Sequence, residues 1–390
     1  MSRKQTYPRK IIAAVLLAGL LLPLIGSLNI LFASLQARMI DGGFRSTLET
    51  SILREAENIM RSVTPEGAIN MAPIPRLADP ACICPYFATY AAIGLDMAAL
   101  IARNSDSEKA GEYVRVTGNF YMWYAAHMNP DGSIHDYTKG TIVAPESSGD
   151  ADSHDAYAGV FLWGAYIHYS VTQLLDKEKA NAFLRSMEPH LRRAANLILT
   201  LQKNDGLTIA KISNQVQYLM DNLEVCAGLF SANRLGLLES KQPGEKVAAA
   251  LNQYYWLGGH LAWAREPSSG TTSAGWLKWY PDKMANTWAA CFNFIQPERR
   301  SAIYTALRQE YFNPEQAYTK IGPEMVYLAL AALAQQDLQN SESYLRELLK
   351  HQDGNGGFQD VNNYVHVSGW FIATAALYLN PNEVRPILLL

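Results

Sequence analysis

Two consecutive segments, AYAGVFLWGAYIHY (156–169) and EKANAFLRSMEPHLRRAANLIL (178–199), set the pattern for the whole chain. Both space their apolar residues as a helix does. The first is apolar or small nearly all round, whereas the second carries charge along one face. A helix of the first kind has to be enclosed by others, and one of the second kind belongs at the surface. Moving outward, YFATYAAIGLDMAAL (86–100) and MVYLALAALA (325–334) repeat the first kind, and ESYLRELLKHQ (342–352) repeats the second.

Apolar periodicity predicts twelve helices, near 45–62, 85–103, 107–128, 154–174, 178–202, 215–236, 242–264, 283–293, 297–311, 323–336, 340–351 and 366–379. Inner and outer types alternate over six pairs, which is the pattern of an all-α (α/α)6 toroid, six helical hairpins in a ring. Only GLTIAKI (206–212) suggests a short strand. Polar, glycine-bearing loops at 128–137, 202–211, 268–282 and 351–360 follow outer-type helices and lead toward inner ones, so they gather on one rim. The inner helices start on that rim, and their positive dipole ends favour carboxylates or polar ligands there.

The chain has 390 residues, 49% of them apolar, and a net charge of only −3. It can bury a large core, and near-neutrality without a long basic run beyond the N-terminus argues against a nucleic-acid partner. Arg3, Lys4, Arg9 and Lys10 precede 27 residues, Ile11 to Ala37, with no charge at all. That run exceeds the roughly 20 residues needed to cross a bilayer and the roughly 7–15 of a cleaved signal. The expected organisation is a cytoplasmic cationic flank (1–10), a transmembrane signal anchor (11–37) and an extracytoplasmic toroid domain (38–390), with the N-terminus inside. Small residues near Ala37 leave signal cleavage as the alternative. Cys82, Cys84, Cys226 and Cys291 lack zinc-type spacing; they read as free thiols, with a disulfide from Cys82 or Cys84 to Cys226 as the alternative. No metal or cofactor is called for.

Chemistry concentrates in SSGDADSHDAYAG (147–159), where Asp150, Asp152, His154 and Asp155 crowd the start of an inner helix and Tyr157 lies one turn in. Helix capping needs one such side chain, or two. Residues 150–158, DADSHDAYA, resemble the motif of family-8 glycoside hydrolases, endoglucanases and relatives with an (α/α)6 fold, in which an Asp-Ala-Asp or Asp-Gly-Asp triplet opens an inner helix. The chain departs from that pattern at Asp155, and residues 80–94 hold no counterpart of the family's general-acid glutamate, so the resemblance extends to six-hairpin glycosidases as a group. It implies a carbohydrate substrate, Asp150 as the carboxylate at the attacked sugar and Asp152 as its companion.

A second carboxylate is offered by QYLMDNLEVCAGLF (217–230), where Asp221 and Glu224 share a helix face beside Asn222. Glycoside hydrolysis needs a carboxylic acid to protonate the leaving oxygen and a carboxylate to activate water or attack the sugar. Glu224, in the more apolar setting, is the expected acid and Asp150 the base or nucleophile. Asp152, His154, Asp155, Tyr157, Asp221 and Asn222 would contact the sugar. Trp276, Trp279 and Tyr280 in one loop and His366 before the last inner helix are the expected stacking and polar partners. Glu324 reads as a cap, and Trp123 and Trp163 as core. The functional expectation is a membrane-anchored glycoside hydrolase acting on an exported or envelope polysaccharide. The alternative is a non-catalytic glycan-binding or polysaccharide-assembly component on the same toroid.

Overall fold

The computed structural model describes residues 41–358 and 364–388. Its helices, in chain order, are α1 (Gly42–Met60), α2 (Pro85–Ala102), α3 (Ser107–His127), α4 (His154–Leu175), α5 (Lys177–Leu201), α6 (Leu219–Arg234), α7 (Gln242–Tyr254), α8 (Met284–Cys291), α9 (Pro297–Glu310), α10 (Pro314–Ile321), α11 (Val326–Ala334), α12 (Leu338–Lys350), α13 (Val365–Leu379) and α14 (Pro381–Leu388). The strands are short. β1 (Lys139–Thr141) and β2 (Ala144–Glu146) form an antiparallel hairpin, and β3 (Gln217–Tyr218), β4 (Ala264–Arg265) and β5 (Thr272–Ser273) form a three-stranded antiparallel sheet.

Six apolar helices make a closed inner ring: α2 packs on α4, α4 on α6, α6 on α8, α8 on α11, α11 on α13, and α13 back on α2. The charged helices α1, α3, α5, α7, α9 and α12 pack outside them. Local chemistry fixes their starts. Asp106, Asp176 and Asp337 accept backbone N–H groups at the first turns of α3, α5 and α12, and Pro85, Pro297 and Pro314 open α2, α9 and α10, where a missing N–H costs nothing.

Two inner seams are glycine-tight. A Cβ on Gly94 of α2 would lie 2.4 Å from the Gly369 Cα of α13, and one on Gly228 of α6 would lie 2.4 Å from the Gly159 carbonyl oxygen of α4. Only glycine lets these backbones approach so closely.

The rim is built from a repeated turn. Val63 bridges Ile69, Gln202 bridges Thr208, Trp256 bridges Leu261 and Gln352 bridges Phe358, while the Asn129 N–H donates to the Ser133 carbonyl in the corresponding place. A glycine with φ between +88° and +96° sits in each: Gly67, Gly132, Gly206, Gly258 and Gly356. Gly132 packs on the Arg193 carbonyl of α5, Gly206 on Lys246 of α7, and Gly356 on Arg54 of α1, so these turns stitch neighbouring outer helices around the ring.

Several expectations are corrected. The helix expected over 242–264 stops at Tyr254, because the chain turns at Gly258 and then enters β4. The repeat turn therefore lies at 256–261 rather than at 268–282, and a further copy occupies 63–69. GLTIAKI forms bridges at Thr208 and Lys211 but no strand. Helices α10 and α14 add to the expected twelve; at eight residues each they are too short to repeat an apolar period. All four cysteines are free thiols, so no disulfide joins Cys82 or Cys84 to Cys226. The anchor expected over 11–37 lies outside the described residues.

Candidate active site

A cavity of about 610 Å³ opens where the inner helices begin, a volume typical of small-molecule sites. Every inner helix contributes its first turns to the wall. Tyr86 and Tyr90 come from α2, Ala156 and Tyr157 from α4, Asp221 and Glu224 from α6, Met284 and Trp288 from α8, Tyr327 from α11, and His366 and Trp370 from α13. The i, i+3 and i, i+4 spacing brings residues of one helix onto one face. The floor is aromatic: the Trp288 and Trp370 rings meet edge to face at 4.7 Å, and Tyr90 lies 5.0 Å from Trp370.

Glu224 sits at the centre of this wall with no exposed surface. Its Oε1 accepts hydrogen bonds from the Tyr86 hydroxyl at 2.7 Å, the Tyr90 hydroxyl at 2.5 Å and the Trp288 Nε1 at 2.9 Å. Its Oε2 has no hydrogen-bond partner among the described residues. Burial raises this carboxyl to about 7; the three donors oppose the rise and the charge of Asp155 adds to it. With Oε1 saturated by donors, the proton of the acid form belongs on Oε2.

Three further carboxylates share the wall with it. Asp221, one turn before Glu224, is pushed well above the usual carboxylate range by burial and by the charges of Asp155 and Glu224, and its buried Oδ2 is unpartnered among the described residues. Asp136 accepts from the Tyr157 hydroxyl at 2.9 Å and is raised by burial. Asp152 stands solvent-exposed on the wall just ahead of α4. A fifth carboxylate, Glu324, occupies the single 3-10 turn Gly322–Met325 before α11. It is held by the Trp279 indole N–H and raised by burial.

The structure brings together Glu224, Asp152, Asp221, Tyr157, Tyr280 and His366 from the residues expected by sequence. His366 is stacked on Phe87 at 4.3 Å and burial lowers it to about 4, so it is neutral near neutral pH.

Other expected residues lie off the wall, for identifiable reasons. Asp150 is a surface residue, 71% exposed, with both oxygens held by Lys211 Nζ at 2.8 and 2.9 Å; that bond keeps its carboxyl below the usual range. His154 is half-buried beside Asp131 and Lys211, its backbone N–H given to Ala210, and burial lowers its imidazole. Asp155 is fully buried behind the wall, accepting from Ser153, Thr208 and the Ala156 N–H. The cap of α4 is Ser153, not an aspartate.

Asn222 is a brace: it accepts the Thr208 N–H and donates to the Thr208 and Tyr218 carbonyls. Asn286 of α8 does the same for Leu261. Trp276 faces His260 at 5.7 Å, and Trp279 reaches the cavity only through Glu324.

Sequence reading missed Asp136, Tyr86, Tyr90, Trp263, Trp288 and Glu324. A signal existed for the tyrosines, which are polar-tipped residues at i and i+4 near the start of an otherwise apolar inner helix. Asp136 and Trp263 lie on irregular segments, where no periodicity marks a direction.

No protein-family model and no curated protein matches the sequence. Solved structures do resemble the fold. A glycosidase superimposes with a TM-score of 0.57 at 14% identity, covering 87% of this chain and 99% of that one. An α-amylase from Clostridium perfringens gives 0.56 at 12%, covering 84% and 97%, and a D-mannose isomerase gives 0.57 at 13%, covering 87% and 98%. At these identities the likeness is one of fold, the six-hairpin helical ring.

Proposed function

We propose that the chain is a glycoside hydrolase in which Glu224 is the general acid and Asp152 the base or nucleophile. The observation that carries this reading is Glu224 itself, a buried carboxyl near 7 with one oxygen locked by three donors and the other unpartnered at the cavity wall. Such a group is protonated at the onset of reaction and delivers its proton from Oε2 to the glycosidic oxygen. The tyrosine and tryptophan donors then stabilise the carboxylate that remains. Asp152, exposed to water at the wall, activates a water molecule or attacks the sugar carbon. Tyr280, two-thirds exposed beside the cavity, offers a face for a sugar ring.

The family-8 likeness of residues 150–158 supports a carbohydrate substrate; it implies Asp150 at the attacked sugar, but Asp152 lines the cavity and Asp150 does not, so the role passes to Asp152. Asp150 lies too far out, paired with Lys211. The charge-free run 11–37 after four cations supports a tether in the cytoplasmic membrane, with an exported polysaccharide as substrate. Protease added to spheroplasts should then digest the domain.

The deciding experiment incubates purified domain with a panel of bacterial polysaccharides and measures new reducing ends. Release by the wild type and its loss in Glu224→Gln is the expected result. Glycan binding without release from any polymer would establish the non-catalytic binding component in its place.

A further inference from the structure

We infer that the cavity takes a sugar bearing a free amine, an ammonium glycoside, in preference to neutral, N-acylated or uronic-acid sugars; the inference rests on the cavity being the carbohydrate site proposed above. The wall holds Asp136, Asp152, Asp221, Glu224 and Glu324, and among the described residues no lysine or arginine lines it. The nearby cations are already engaged elsewhere. Lys211 holds Asp150, Arg265 holds Asp205 at 2.6 Å, and Lys283 holds Glu310 at 2.5 Å. His366 brings no charge, because burial keeps it neutral.

Buried acids without a counter-charge are costly. Here the deficit is located at named atoms: Asp221 Oδ2 and Glu224 Oε2 are buried, lie one turn apart on α6, and have no hydrogen-bond partner among the described residues. Glu224 Oε2 is needed for the leaving oxygen, which leaves Asp221 Oδ2 to receive a donor.

A metal ion is the other cation that could answer such a wall. Among the described residues, however, no three Asp, Glu, His or Cys side chains converge as metal ligands. The acids come from separate segments of the wall without converging on one point among the described residues, which suits a ligand the size of a sugar with one ammonium group.

Burial raises the Asp221 carboxyl well above the usual carboxylate range. An incoming ammonium favours its ionised form, so amine binding displaces a proton from Asp221 and ends as a charge-assisted hydrogen bond. A uronate would add a negative charge to a wall with five acids and, among the described residues, no lysine or arginine, and is disfavoured.

The test is titration calorimetry at pH 7 with glucosamine, galactosamine, glucose, galactose, N-acetylglucosamine and glucuronate as probes. The amines should bind roughly 10-fold or more tightly than their neutral and N-acetyl counterparts. Repeating the titration in buffers of different ionisation enthalpy should reveal proton release with the amines alone. Asp221→Asn should abolish the amine preference, whereas Asp150→Asn, which removes an acid of the same type from the outer surface, should preserve it. Equal affinity for amine and neutral sugars, or no amine binding at all, overturns the inference. Hydrolysis of a neutral polymer would then leave the glycosidase reading standing. Amine binding with no polymer cleaved would do the opposite, keeping the ligand and losing the enzyme.

Discussion

The cavity face of the inner helices and the faces they pack against one another share one backbone conformation and one layer, yet they hold opposite chemistry. The packed faces are close-fitting. Gly94 meets Gly369, Gly159 meets Gly228, and Trp163 fills the centre against Phe292 at 5.5 Å and Trp370 at 5.9 Å. The cavity face instead carries Asp221, Glu224, Tyr86, Tyr90 and His366. The ring supplies the site by geometry, since converging six helix starts gives six positive dipole ends that favour acids. The packing beyond them offsets the cost of burying those acids.

The division can be attacked from both sides. The largest expected effect is on chemistry: Glu224→Gln and Asp152→Asn should each lower kcat by roughly 10²- to 10⁴-fold with little change in thermal unfolding. A large loss of stability in either variant would blur the boundary. In the packed half, Gly94→Ala inserts a Cβ 2.4 Å from the Gly369 Cα. It should cost about 1–3 kcal/mol by overpacking, read by urea unfolding, with kcat per folded molecule retained.

Smaller still, Asn286→Ala removes the brace on Leu261 and should cost about 1–2 kcal/mol, again without altering the pH profile. Tyr90→Phe sharpens the comparison from the cavity side. Its hydroxyl lowers the Glu224 carboxyl, which stands at about 7. A general acid loses activity as pH rises through its pKa, so the alkaline limb of kcat should lie near pH 7 and move upward in the variant. A downward move would exclude Glu224 as the acid. The smallest effect is expected for Asp150→Asn, less than about 2-fold on kcat, because the Asp150 carboxylate is 71% exposed and lies off the cavity wall.

The inner ring was legible because enclosure removes charge from all faces of a helix, and that pattern is local in sequence. Asp221 and Glu224 were legible for the same reason, as acids on a helix with no other charge nearby. The positions of Asp150 and Asp152 relative to the cavity were not. They are two residues apart, and what separates them is Lys211, 61 residues away, which captures one and leaves the other on the wall. Asn222 was misread in a similar way, since the Thr208 backbone it braces is 14 residues distant. Glu324 reads as a cap because it stands at a helix start, and only the contact with Trp279 turns it to the cavity.

The seam between α2 and α13 bears on how the protein is made. Helix α2, Pro85–Ala102, is by length and composition apolar enough to cross a membrane, yet 83% of it is enclosed in the ring. Its close neighbour there, through Gly94 and Gly369, is α13, which comes last in order among the six inner helices. During synthesis α2 therefore emerges long before the surface that covers it. Until Gly369 has emerged, the growing chain carries an apolar helix with one face uncovered, to which a neighbouring nascent chain can bind. The same glycine pair that closes the ring thus makes synthesis of α13 the step at which that hazard ends.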